Sequence, residues 1–237
     1  MLLPRSCTVA ALLWLTTLAP LTPANEPPRR TPTSPTAPSV LDFVAPNYRD
    51  AVAQVMKNAT LSAKAADEEF TAHTKIYDWL LEHPDRASLA WRRMKIPCVE
   101  ITDIGNGQFS WTDPSGSELT WRTVGRFPDG LIWYATGKVK PGTLLPTAPV
   151  KAVAVVRLPR QTLDEKAGTA KFQPLVNVYL QTDSRAANAL LRMIGPAAPR
   201  MAEDGAEQLL LFFSGPARYI HKHPDEAQSL LAPAAKK

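Results

Sequence analysis

The apolar positions of this chain change period as the chain proceeds. From Tyr48 they recur at Val52, Val55 and Ala59, spacings that place them on one helical face, with Asn47 as a cap. Asp67-Glu68-Glu69 predicts the start of a second helix, because acids suit the positive end of the helix dipole. Its buried face would be Phe70, Tyr77, Leu80 and Leu81. His83-Pro84-Asp85 ends it, since Pro84 disfavours helical geometry at His83 yet suits the first turn of a new helix. That third helix, 85–94, carries Leu89 and Trp91.

From Pro97 the period falls to two. Strands are expected at 98–102, 108–112, 119–124 and 131–135, with turns at Gly105-Asn106-Gly107, Asp113-Pro114-Ser115-Gly116 and Phe127-Pro128-Asp129-Gly130. Prolines make 141–149 a loop. Residues 150–158 are apolar on both faces, as in a central, covered strand. A polar loop at 161–173 and a last strand at 175–181 follow. Asp183 or Ser184 would cap a helix to Ile194, stopped by Gly195-Pro196. A final helix is expected over 199–221, centred on Leu209-Leu210-Leu211-Phe212-Phe213, with a kink at Gly215-Pro216. His223-Pro224-Asp225 opens a short turn to Leu231. The segments 77–87 and 217–227 echo each other around His-Pro-Asp, which shared turn chemistry explains better than duplication. Helices, then about six antiparallel strands, then helices is the pattern of a single α+β domain.

The first residues change the picture of where this domain works. Arg5 precedes an apolar run from Val9 to Ala19, and Thr22-Pro23-Ala24 puts small residues where a signal peptidase reads. Residues 1–24 thus read as an export signal, too short to span a bilayer, and the product would be periplasmic or secreted after cleavage near Ala24. Residues 25–40 hold Pro27, Pro28, Pro32, Pro35 and Pro38 among small polar residues, a Pro-rich disordered leader. The domain would occupy 41–231, with 232–237 as a basic tail. The net charge of +5 comes from leader and tail, since without Arg5, Glu26, Arg29, Arg30, Lys236 and Lys237 the core is about neutral. With no basic stripe interleaved with aromatics, no nucleic-acid partner is expected. Cys7 would leave with the signal, so Cys98 alone remains and no disulfide can close within the chain. No later apolar run is long enough to cross a membrane.

Candidate chemistry is sparse. His221 and His223 sit at a helix end, where they would not share a face, and no H-E-x-x-H or C-x-x-C accompanies them, so neither metal nor cofactor is expected. His73 and His83 read as helical boundary residues. Ser214 lacks a nucleophile elbow, and a lone Cys98 at a strand start reads as a small buried residue. Glu100, Asp103 and Glu118 read as outward strand residues, solvated or paired with Arg122. Asn58-Ala59-Thr60 is a glycosylation sequon that matters only in a eukaryotic host. The aromatics say more. Trp111, Trp121 and Trp133 lie on successive predicted strands, and in register they form one face.

The stretch Trp79-Leu80-Leu81-Glu82-His83-Pro84-Asp85-Arg86, with Ala90-Trp91-Arg92-Arg93, Ile96-Pro97-Cys98-Val99-Glu100-Ile101 and Phe109-Ser110-Trp111-Thr112-Asp113, resembles a group of exported bacterial proteins of unknown function. The likeness extends through Trp133-Tyr134-Ala135 and Gly137-Lys138-Val139-Lys140-Pro141-Gly142, and implies no catalytic residues. The order of helices, antiparallel sheet and long closing helix is separately similar to START-like helix-grip domains, which hold lipids or other apolar ligands. The expected function is a non-catalytic exported domain. It would hold an apolar ligand between sheet and C-terminal helix, bounded by Trp111, Trp121, Trp133 and Phe213, or serve as an envelope interaction module. The alternative is an exported hydrolase joining Glu100 or Asp103 to a helix-borne histidine.

Overall fold

Two helices pack on opposite faces of one antiparallel sheet in the computed structural model, which describes residues 38–114, 116–140, 147–182 and 195–233. The expected export signal, most of the expected leader, the helix expected after Asp183 and the Lys236-Lys237 tail lie outside these residues. A 3-10 turn (Val40–Phe43) leads into α1 (Pro46–Lys57), β1 (Leu61–Ala66), β2 (Phe70–His73), α2 (Thr74–Glu82) and α3 (Pro84–Arg93). Then come β3 (Ile101–Gly105), β4 (Gln108–Thr112), β5 (Glu118–Phe127), β6 (Gly130–Val139) and β7 (Ala148–Arg157). The chain continues through β8 (Arg160–Asp164), β9 (Thr169–Phe172) and β10 (Leu175–Thr182). It closes with α4 (Ala198–Lys222) and α5 (Ala227–Leu231).

The main sheet has seven strands, in the order β1-β10-β7-β6-β5-β4-β3, and β2-β9-β8 form a second, three-stranded sheet. The α+β domain expected from the pattern is therefore present, with seven strands in its main sheet rather than about six. Central β7 is covered on both sides. Its Val153 and Val155 pack with Val52 and Val55 of α1, and its Ala154 and Val156 pack with Leu210, Phe213 and Ala217 of α4. Burying each such valine contributes about 1.5–3 kcal/mol, so both helices are firmly anchored.

Several elements differ from expectation. Asp67-Glu68-Glu69 is not a helix start but the turn between β1 and β2. The Asp67 carboxylate accepts from the Glu68 amide at 2.8 Å and from Arg218 of α4 at 2.7 Å. Phe70 is buried, but on a strand, and the helix begins at Thr74. The polar stretch 161–173 contains the β8–β9 hairpin, whose β8 is exposed along its whole length. The first strand of the meander runs 101–105 rather than 98–102. β7 starts at Ala148 in spite of Pro149, because Pro149 pairs with Lys138 of β6 and lies beyond the β10 ladder, where no N–H is demanded of it.

The two His-Pro-Asp corners share one geometry. His83 has φ −127° and ψ 67°, and His223 has φ −130° and ψ 65°; each ends one helix and leads into the next, with proline at the first turn. Each imidazole packs against an aromatic ring four residues earlier, edge to face with Trp79 at 4.4 Å and tilted against Tyr219 at 4.5 Å. Turn chemistry thus accounts for the echo.

Candidate functional site

The site is built on the sheet face that α4 covers. Register places Trp121 of β5 opposite Phe109 of β4 and Ala135 of β6, and Ala135 opposite Ala152 of β7, which faces Leu180 of β10. Trp111 faces Leu119 in the next row, and Trp133 faces Thr123 in the row on the other side. Alternation along each strand then sets Trp111, Trp121 and Trp133 on one face.

This face has two halves. In one, Leu131, Trp133, Ala154, Val156 and Val176 are sealed against α4, α2 and the small sheet. Trp133 and Phe213 stack with centroids 5.2 Å apart, at 6% and 3% exposure, and so fill one another's space. In the other half, Trp111, Leu119, Trp121, Ala135, Ala152 and Leu180 are only half-buried. The structure therefore splits the four expected site residues: Trp133 and Phe213 are packed together, while Trp111 and Trp121 belong to the less covered surface. The Trp111 indole N–H is buried with no hydrogen-bond partner among the described residues.

What holds α4 over the sheet is a device the sequence half disclosed. Pro216 stands inside α4 and has no N–H, so the Phe212 carbonyl one turn earlier loses its helical partner. The Trp91 indole of α3 supplies the missing donor at 2.8 Å. Gly215 makes room for it, since a Cβ there would lie 2.2 Å from the Trp91 ring. One turn on, Arg218 binds Asp67 and the Glu68 carbonyl and lies 4.6 Å from the Phe70 ring centre. At the end of the domain, Arg93 donates to the carbonyls of Ser229, Leu230 and Ala232, capping α5.

A second, polar cleft of about 470 Å³ opens at the tip of the β3–β4 hairpin, where β5 is bulged between Thr123 and Gly125. It gathers Tyr48, Glu82, His83, Asp103, Asn106, Arg122 and Arg126. Asp103 and His83 therefore share a cleft, but the geometry of an acid–base pair is not met. Asp103 accepts from the Gly105 amide at 2.8 Å, and the His83 ring packs against Trp79. Glu100 is elsewhere, paired with Arg92 at 3.2 Å rather than with Arg122.

The other candidates are placed plainly. His73 is the last residue of β2 and the N-cap residue of α2, and His83 is the corner between α2 and α3, so both stand at helix boundaries and neither within a helix. Ser214 is fully buried in α4. Cys98 is half-buried, and burial pushes its thiol above the ordinary value against the opposing effects of Ser88 and Arg92, the reverse of an activated nucleophile. Among the described residues, no three His, Cys, Asp or Glu side chains gather where an ion could bind, and no helix is long and apolar enough to cross a membrane.

No family model matches the chain, and no curated protein matches it. Solved structures do. A conserved protein from Geobacillus kaustophilus aligns over 69% of this chain and 96% of its own, at 13% identity and a TM-score of 0.42. Ara h 8.0201 aligns over 67% of this chain and 97% of its own, at 12% identity and a TM-score of 0.35. An uncharacterized protein from Rhizobium leguminosarum aligns over 65% and 97%, at 16% identity and a TM-score of 0.28. Similarity at this level says nothing of what the present chain does.

Proposed function

We propose that this is a non-catalytic binding domain that holds an apolar small molecule between the sheet and α4, in the half of the face around Trp111 and Trp121. The observation that carries the reading is the half-burial of a contiguous apolar surface. Trp121, Ala135, Ala152 and Leu180 line up across the sheet beyond the buried Phe109, with Leu119 in the next row, and are only half-buried, although Leu131 and Trp133 of β6 and Ala154 and Val156 of β7 are buried. A sheet face this apolar is ordinarily sealed by its covering helix, and the small side chains of Ala135 and Ala152 stand at the centre of the row. The Trp111 N–H offers a polar contact to whatever lies there. In this reading the domain works outside the cytoplasm after cleavage near Ala24, the Pro-rich leader serving as a spacer.

Native mass spectrometry of gently purified protein tests the ligand. A bound apolar species, or saturable uptake of a fluorescent fatty acid with quenching of tryptophan emission, is expected. Ala152→Trp fills the row and abolishes uptake while the fold survives. Repeated recovery of ligand-free protein that takes up no apolar probe refutes the reading. N-terminal sequencing of the product from an exporting host tests cleavage after Ala24.

A further inference from the structure

We propose that the polar cleft at the β3–β4 hairpin tip is a second binding site, for a small monocarboxylate with an apolar body. The charges lining it are unequally matched. Arg126 is paired with Glu82 at 3.0 Å. Arg122 meets only neutral acceptors: its Nη1 donates to the Tyr48 hydroxyl at 2.7 Å and its Nη2 to the Asn106 carbonyl at 2.9 Å. The guanidinium lies 5.7 Å from the centre of the Tyr48 ring, and its Nε–H is buried without a partner. Among the described residues no carboxylate pairs with it.

A half-buried guanidinium whose direct contacts are a phenol and a peptide carbonyl has no carboxylate in contact with it, with Asp103 in the same cleft held by a backbone amide, and it favours a single anionic group able to reach it. Its planar donor set matches a carboxylate better than a round ion. The volume, about 470 Å³, is that of a metabolite site. The remaining walls select further. Ala45, Phe109 and Val124 offer an apolar surface for the body of the ligand. Asp103 and Glu82 line the same cleft and would repel a second negative charge, so a dicarboxylate or a phosphate dianion is disfavoured. Arg122 and Trp121, adjacent in sequence, face opposite sides of β5, while Phe109, which lines the cleft, faces Trp121 across the strands and lies between this site and the one under α4.

The test follows the Arg122 Nε–H resonance in nitrogen-15 spectra of the whole protein. Benzoate is expected to move it saturably, and inorganic phosphate and succinate to bind at least tenfold more weakly. Arg122→Gln should weaken benzoate at least tenfold. Because Arg122 also tethers the hairpin, Asp103→Asn provides a check that keeps the tether: the amide oxygen can still accept from Gly105, and removing the charge should tighten benzoate roughly two- to fivefold. No saturable shift with benzoate overturns the proposal. So does phosphate binding as tightly as benzoate, unchanged affinity in Arg122→Gln, or unchanged affinity in a folded Asp103→Asn.

Discussion

Replacing Trp91 by Phe removes one donor and tests how α4 tolerates its internal proline. The indole N–H reaches the Phe212 carbonyl at 2.8 Å, a carbonyl that Pro216 cannot serve. Leaving a part-buried carbonyl unsatisfied costs about 1–3 kcal/mol, and partial exposure puts this one in the lower half of that range. For a domain of this size, each 1 kcal/mol lowers the melting temperature by about 2–4 °C. The decisive measurement is a double-mutant cycle with Pro216→Ala. Alanine restores the N–H, so the Phe212 carbonyl regains a helical partner and no longer depends on the indole. Trp91→Phe should therefore cost about 1 kcal/mol less in the Pro216→Ala background than in the parent. Urea unfolding followed by far-ultraviolet circular dichroism reads this without relying on tryptophan emission, with unchanged m-values as the control. If the two substitutions are additive within about 0.5 kcal/mol, the indole is not replacing the bond the proline removed, and the account of α4 is wrong.

Gly215→Ala should destabilise by about 1–3 kcal/mol by calorimetry, although alanine is ordinarily about 1 kcal/mol the better helix former, because its Cβ meets the Trp91 ring at 2.2 Å. Arg93→Ala should free the carbonyls that end α5, speeding amide exchange of 227–231 severalfold while leaving the sheet amides unchanged. Burial holds the Cys98 thiol above its ordinary value of 9.0 and raises the Tyr77 hydroxyl as well, so each stays neutral in the fold where the unfolded chain begins to ionise. Stability from these groups is therefore complete below about pH 8.5 and falls as the pH rises further, a slope that Cys98→Ser should reduce in urea titrations. At pH 8, Cys98 should also react with iodoacetamide more slowly in the folded protein than in urea.

The elements that were legible from the chain are those whose burial is local and periodic. Val52 and Val55, Tyr77 with Leu80 and Leu81, and Val153, Val155 and Val156 of β7 each occupy buried positions that their own spacing announces. The proline signals were equally direct, since Pro84 and Pro224 break and restart helices whatever packs around them. Strands β1, β2, β8 and β9 were illegible for a different reason. The alanines at 63 and 65 are strand residues because α4 crosses close above them, and β8 is a strand because β9 pairs with it. Neither cause is written within the segment itself. Asp67 read as part of a helix start because the arginine that engages it lies 151 residues away.

By itself, then, the sequence determined the layer pattern, the helix breaks, the central strand and the presence of tryptophans on successive strands of the meander. Only tertiary structure decided which of those rings closed on α4 and which stayed partly uncovered. It also decided that Trp91 would serve a carbonyl on a helix far along the chain and that Arg122 would meet a phenol and a peptide carbonyl rather than an acid among the described residues. The physical reason is that periodicity reports which side of an element turns inward. How far a covering helix reaches, and which charges meet beneath it, depend on contacts between distant segments.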